Sequence, residues 1–124
     1  MSISINDFFE KMLGFFPLKR NEFELKMRED FEGLDTIIVE DIFMPEVVNL
    51  LEKNCNEELL RDIFNYFELV SVAADEYLLN VFSITVLEIL GNDTDVLRIA
   101  KQYMGPTTTQ YQREADLGLG RIRE

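Results

Sequence analysis

The residues best equipped for chemistry in this chain are its carboxylates, 24 Asp and Glu against 12 Lys and Arg, with no His. Adjacent acids at Glu40-Asp41, Glu57-Glu58 and Asp75-Glu76 have the groups needed for acid–base work or for holding Mg²⁺. In so acidic a chain such neighbours arise from composition. Glu57 and Asp75 also stand where a helix start favours an acid, through its dipole and its unpaired N–H groups. The absence of His removes the commonest general base and metal ligand, and with them every Ser-His or Cys-His arrangement. Cys55 is the single cysteine. With only Lys53 as a nearby base in sequence, it reads as a small buried or semi-buried thiol and not a nucleophile. Asn92-Asp93-Thr94-Asp95 fails as a calcium loop, because Leu97, Arg98 and Met104 stand where a ligand, a Gly and a Glu are required. No GxGxxG or GxxxxGK loop occurs to cradle a phosphate. The chain is therefore expected to be no enzyme and to carry no cofactor.

What remains is binding. The formal charge is −12, and it is unevenly spread. Residues 22–62 hold thirteen acids and four bases, and residues 63–95 hold six acids and no base, while the head (1–21) and tail (96–124) are weakly basic. Such a field repels nucleic acid and anionic membranes and speeds encounter with a cationic partner. Tyr66 and Tyr77 lie close in sequence to Glu68, Asp75 and Glu76, and Tyr beside acid makes an anchor for an Arg- or Lys-rich surface. A charge-rich face is equally read as a merely solvated one. Glu88, with Asn80 and Ser83, lies inside an apolar stretch, either at a helix edge, in a satisfied polar network or marking a site.

The elements that must position these residues are helices. The 124 residues, 47% hydrophobic with ten Phe and four Tyr, suit one domain, since domains usually run to about 100–150 residues. Ser4 and Asp7 open a helix over Ile5 to Leu13. A second is expected from Asn21 to Phe31, on the Phe23, Met27, Phe31 stripe, with Gly33 closing it. Residues 35–43 are ambiguous between strand and helix, and helix is preferred. Pro45 then fits the first position of a new helix ending at Asn54. Asn56 caps a long helix to Ala73, and Asp75 caps another to Leu90 that is apolar around almost its whole circumference, hence a central, buried one. Asp93 caps a shorter helix, and Thr107–Thr109 starts a last short one. The expectation is an all-α single domain over 1–124, a compact bundle or short irregular solenoid of six to seven helices, with 118–124 a loose tail. The longest uncharged apolar stretch, Tyr77–Leu87, is far short of the roughly 20 residues that span a bilayer. The opening residues MSISINDFFEKMLGFFP lack a basic n-region, so no secretory signal is expected. A lone thiol suits a reducing compartment, and a cytoplasmic location follows.

The stretch from Glu57 to Gly105, ending LRIAKQYMGPTT, together with the acidity and the missing catalytic equipment, resembles the small bacterial immunity proteins of contact-dependent growth inhibition and other polymorphic toxin systems. The resemblance implies a cytosolic protein that binds the C-terminal toxin domain of a neighbouring gene product, commonly a cationic nuclease, and covers its active site. Glu57, Glu58, Asp62, Tyr66, Glu68, Asp75, Glu76 and Tyr77 are the expected contact residues. The alternative is an acidic adaptor or regulatory module, a DNA mimic included, docking on a basic host protein.

Overall fold

Ser4 Oγ accepts the Asp7 N–H at 3.2 Å and Asp7 Oδ2 accepts the Ser4 N–H at 2.9 Å. This reciprocal pair opens α1 (Ile5–Phe15) in the computed structural model, which describes residues 2–122. Behind a single 3-10 turn at Pro17–Lys19 comes α2 (Arg20–Met27), followed by α3 (34–53), α4 (Glu57–Ala73), α5 (76–91), α6 (Thr94–Lys101) and α7 (Pro106–Gly118). The protein is all-α. Among the described residues the only extended pairing is an isolated bridge between Ile3 and Ala74, in which Ile3 N–H donates to the Ala73 carbonyl and Asp75 N–H to the Ile3 carbonyl, both at 2.9 Å.

Several expected boundaries move. The second helix stops at Met27 and not at Phe31, since Asp30 turns to a positive φ of 41°, and Met27 and Phe31 are exposed where Phe23 alone is buried. Residues 35–43 are helical and run without a break into the segment bearing Pro45, giving one rod. A helix-interior Pro loses an N–H and pushes against the carbonyl four residues back. Here a π turn at Val39–Phe43 immediately precedes it, with Met44 N–H reaching the Val39 carbonyl five residues back, and the wider turn gives the ring room. Asn54, at φ 46° and ψ 49°, ends the rod in the left-handed conformation.

Asn56 and Asp75 cap α4 and α5 as expected, Asn56 Oδ1 accepting from Leu59 N–H at 3.4 Å and Asp75 Oδ1 from Leu78 N–H at 2.8 Å. Asp93 does the same for α6 through Asp95 and Val96. The inner face of α4 carries Leu60, Ile63, Phe64, Phe67 and Val70, all fully buried. Phe67 packs its ring on Phe8 of α1, Phe64 of its own helix and Phe82 of α5, with centroids 6.4, 5.2 and 5.4 Å away. The aromatic side chains thus join α1, α4 and α5 into one core. The expectation that α5 is enclosed all round is corrected: Leu78, Val81, Phe82, Val86, Leu87 and Leu90 are buried, but Tyr77, Asn80 and Ile84 form an open stripe. α5 carries a π turn too, at Phe82–Leu87, and it packs against the π turn of α3.

The last helix is longer than its sequence suggests, 13 residues, and its buried side is polar. Gln112 Nε2 donates to the Leu87 carbonyl at 2.9 Å and to Asp116 Oδ1 at 3.1 Å, and Thr108 shares a 2.8 Å bond with Ser71. Arg121 Nη1 reaches Asp116 at 3.1 Å and its Nη2 the Glu88 carbonyl at 3.1 Å. The expected loose tail is therefore pinned at Arg121, while residues 123–124 lie outside the described residues. Gly91 permits this approach: a Cβ there would collide with the Arg121 guanidinium and with Asp116.

Candidate functional site

The eight expected contact residues do not form one site. α4 has 17 residues and is about 25 Å long at 1.5 Å per residue, so Glu57 and Glu58 at its start lie far from Asp75, Glu76 and Tyr77 beyond its end. Glu57 is held by Arg61 at 2.6 Å. Glu58 and Asp62 are exposed on the solvent stripe of α4. Tyr66 is not a surface anchor: it is 9% exposed, because position 66 falls beside Phe67 on the inner side and stacks on Phe8. Glu68 caps α7, its two oxygens accepting Thr107 N–H at 3.1 Å and Thr108 N–H at 2.9 Å. Burial pushes its carboxyl up, but the bonds from Thr108 and Thr107 together outweigh this and hold it below the usual carboxylate range. Asp75 is spent on capping α5. Glu76 and Tyr77 remain on the surface.

Tyr77 points to the face that does gather acids. It is 53% exposed and donates its hydroxyl to Asp35 Oδ2 of α3 at 2.6 Å. That bond, with some burial and the Asp35 charge, raises the phenol to about 12. From this pair α3 and α5 run side by side, and neither contributes a base before Lys53: residues 29–52 hold eight acids and no Lys or Arg, and 62–97 hold none either. Asp35, Glu40, Glu76 and Glu88 come from these two helices, with Ile84, 52% exposed, on the α5 stripe between Glu76 and Glu88. Where the two π turns meet, Thr36, Glu40, Ile84, Thr85, Glu88, Ile89 and Asn92 line a cleft of about 100 Å³. Thr85 is 4% exposed, and its hydroxyl has no hydrogen-bond partner among the described residues. A buried hydroxyl left unpaired costs about 1–3 kcal/mol.

A second cleft, of about 320 Å³, lies between α1 and α4 and is lined by Lys11, Phe15, Asp62, Asn65, Tyr66 and Leu69. Asp62 and Tyr66 are the two expected residues that meet in one concavity. The Tyr66 hydroxyl is also buried without a partner, and burial, then the Asp7 charge, pushes it up to about 12. Lys11 Nζ sits over the Phe15 and Tyr66 rings, 5.5 and 5.7 Å from their centroids.

Sequence reasoning missed Asp35, Ile84 and Thr85, and it set Glu40 aside as one of an adjacent acid pair arising from composition. A narrower charge window would have found the α3 half, since the base-free run 29–52 is hidden when it is counted together with Lys26, Arg28, Lys53 and Arg61. Nothing in the sequence announces that α3 and α5 adjoin. Cys55, expected to be buried or semi-buried, is exposed, because it sits in a turn between Asn54 and Asn56, both at positive φ. Among the described residues no group of three or more His, Cys, Asp or Glu lies where it could hold a metal ion, and no helix is long and apolar enough to cross a membrane. What the arrangement offers chemically is cation binding by carboxylates and hydroxyls, with half-exposed Tyr77 and Ile84 for apolar contact.

No curated protein and no solved structure matches the chain. Residues 9–118, nearly the whole helical body from α1 to the end of α7, match the family described as Domain of unknown function (DUF7674), and the chain belongs to that family.

Proposed function

We propose that this protein is a binding module for a cationic protein, and that it acts in the cytoplasm as an immunity protein covering the basic active site of a nuclease toxin domain. The observation that carries the reading is the acid-bearing face of α3 and α5, to which neither helix adds a base before Lys53, the neighbouring Arg121 being taken up by the Glu88 carbonyl, Asn92 Oδ1 and Asp116. Asp35, Glu40, Glu76 and Glu88 stand there without a Lys or Arg from either helix before Lys53, and Tyr77 and Ile84 supply half-exposed apolar area. A nuclease cleft is basic because it must attract phosphate, and such a face complements it, steering the encounter and fixing the register. Acid pairs elsewhere are less available: Glu22 and Glu46 hold Lys19, Glu29 holds Lys26, and Glu57 holds Arg61.

The test is co-expression with the C-terminal domain of the protein encoded directly upstream, scoring growth and co-purification. Rescue with a stable complex is expected, and association should slow steeply as salt rises. No rescue and no complex sinks the immunity reading. A complex with a basic host protein and no toxin would favour the acidic adaptor instead. Charge reversal belongs at Glu40, Glu76 and Glu88, since reversing Glu68 or Asp75 removes a helix cap and confounds binding with folding.

A further inference from the structure

We propose that the cleft between α3 and α5 is a receptor for a primary ammonium group, the head of a lysine side chain on the partner; the assignment of that partner rests on reading this face as a docking surface for a cationic protein.

Three features of the cleft converge. Its acceptors suit an ammonium: Glu40 and Glu88 provide carboxylates, and Thr36 and Thr85 provide hydroxyls, against the three N–H donors of a lysine head. One acceptor has no internal use, since the Thr85 hydroxyl is buried and unpartnered among the described residues. Buried polar atoms are nearly always paired, and an exception in a cleft marks a place where something else completes the bond. Finally, the size and walls fit. About 100 Å³ is several times the roughly 10–15 Å³ that one water needs on the same measure, enough for an ammonium and the end of its stem, and Ile84 and Ile89 offer apolar walls to the methylenes.

The alternatives fit less well. Two carboxylates repel an anion. A divalent cation lacks a third acidic or His/Cys ligand here. A guanidinium is a planar fork that seeks two oxygens of one carboxylate, whereas these acceptors come from two helices. The α1/α4 cleft provides an internal contrast: it also joins an acid, Asp62, to a buried unpaired hydroxyl, Tyr66, but it has its own ammonium in Lys11. The α3/α5 cleft has no lysine in its walls, and the guanidinium beside it, Arg121, is engaged by the Glu88 carbonyl, Asn92 Oδ1 and Asp116, leaving the Glu40 and Glu88 carboxylates to a ligand.

The experiment uses the full chain, labelled with ¹⁵N, and titrates N-acetyl-lysine methylamide while amide shifts are followed. Saturating shifts at residues 36, 40, 85 and 88 are expected, in the millimolar range usual for a ligand this small. They should vanish with the Nε-acetylated form. Glu40→Gln with Glu88→Gln should weaken binding about tenfold or more, as loss of charge-assisted bonds does. Thr85→Val keeps the shape and removes the hydroxyl; it should weaken binding while leaving the unfolding temperature equal to or above that of the unsubstituted protein. No shifts in the cleft, equal shifts from the acetylated form or from N-acetyl-arginine methylamide, or unchanged binding in the double Gln variant would overturn the proposal. A lower unfolding temperature in Thr85→Val would also count against it, as the mark of a structural hydroxyl. The two readings fail separately. Binding of the probe without any basic protein partner removes only the docking role, and a toxin complex indifferent to Glu40→Gln and Glu88→Gln, with no probe binding, removes only the ammonium cleft.

Discussion

The α1/α4 cleft and the α3/α5 cleft are built from the same parts and end in opposite states. Each sets carboxylate beside an orphaned buried hydroxyl, Tyr66 in one and Thr85 in the other. In the first, Lys11 lies over two aromatic rings and shares the walls with Asp62, so the site holds its own cation. In the second, Glu40 and Glu88 stand in a cleft without a lysine. The contrast teaches that a count of acids does not locate a binding surface. What matters is which acids the fold leaves without a base, and the same molecule uses its others as caps and ion-pair partners.

Phe67 is fully buried and its ring joins α1, α4 and α5, the helices on which both clefts draw, so Phe67→Ala should have the largest effect, costing about 3–5 kcal/mol by denaturant unfolding and blurring the amide spectra of both sites. A loss confined to one cleft would show that the two are packed independently. Glu68 tests the division between capping and binding acids. Glu68→Ala leaves the Thr107 and Thr108 N–H groups unpaired, at a cost of about 1–2 kcal/mol, with partner affinity unchanged. Because the Glu68 carboxyl lies below its unfolded value of about 4.3, its contribution is complete above that pH and is lost as pH falls through the lower folded-state value. Acid unfolding of the variant should therefore lack that component, and a variant whose pH profile parallels the parent would remove Glu68 as the cap. The smallest effect belongs to Lys11→Met, about 0.5–1 kcal/mol for an exposed cation–π contact. It sharpens the comparison in a second way: the lysine probe should then shift the Asp62 and Asn65 amides, which it leaves unmoved in the parent protein.

Helix starts were legible because their physics is local. Ser4 with Asp7, Asn56, Asp75 and Asp93 each satisfy N–H groups two or three residues on, and a short window of sequence contains both partners. α7 was legible only at its start. Its buried residues are Thr108, Gln112 and Asp116, polar side chains whose partners are Ser71, the Leu87 carbonyl and Arg121, so no apolar stripe marks the helix. The continuity of the rod 34–53 is not legible, because a helix-interior Pro ordinarily ends a helix, and nothing in the residue pattern signals the π turn that accommodates Pro45. In the site, Glu76 and Tyr77 were found on the surface as expected, but Tyr66, Glu68 and Asp75 were diverted to packing and capping.

From the sequence alone came the all-α class, the caps and the segment 63–95 that carries acid without base. These follow from neighbours within about four residues, the reach of helical hydrogen bonds and side-chain pairs. The tertiary structure alone decided that the two base-poor segments lie side by side with their π turns in contact, that Lys11 fills one cleft, and that Thr85 is buried in the other without a partner. Those outcomes depend on which helix faces share the core, and helix packing brings together residues more than forty positions apart, as in the surface pair Asp35 and Tyr77.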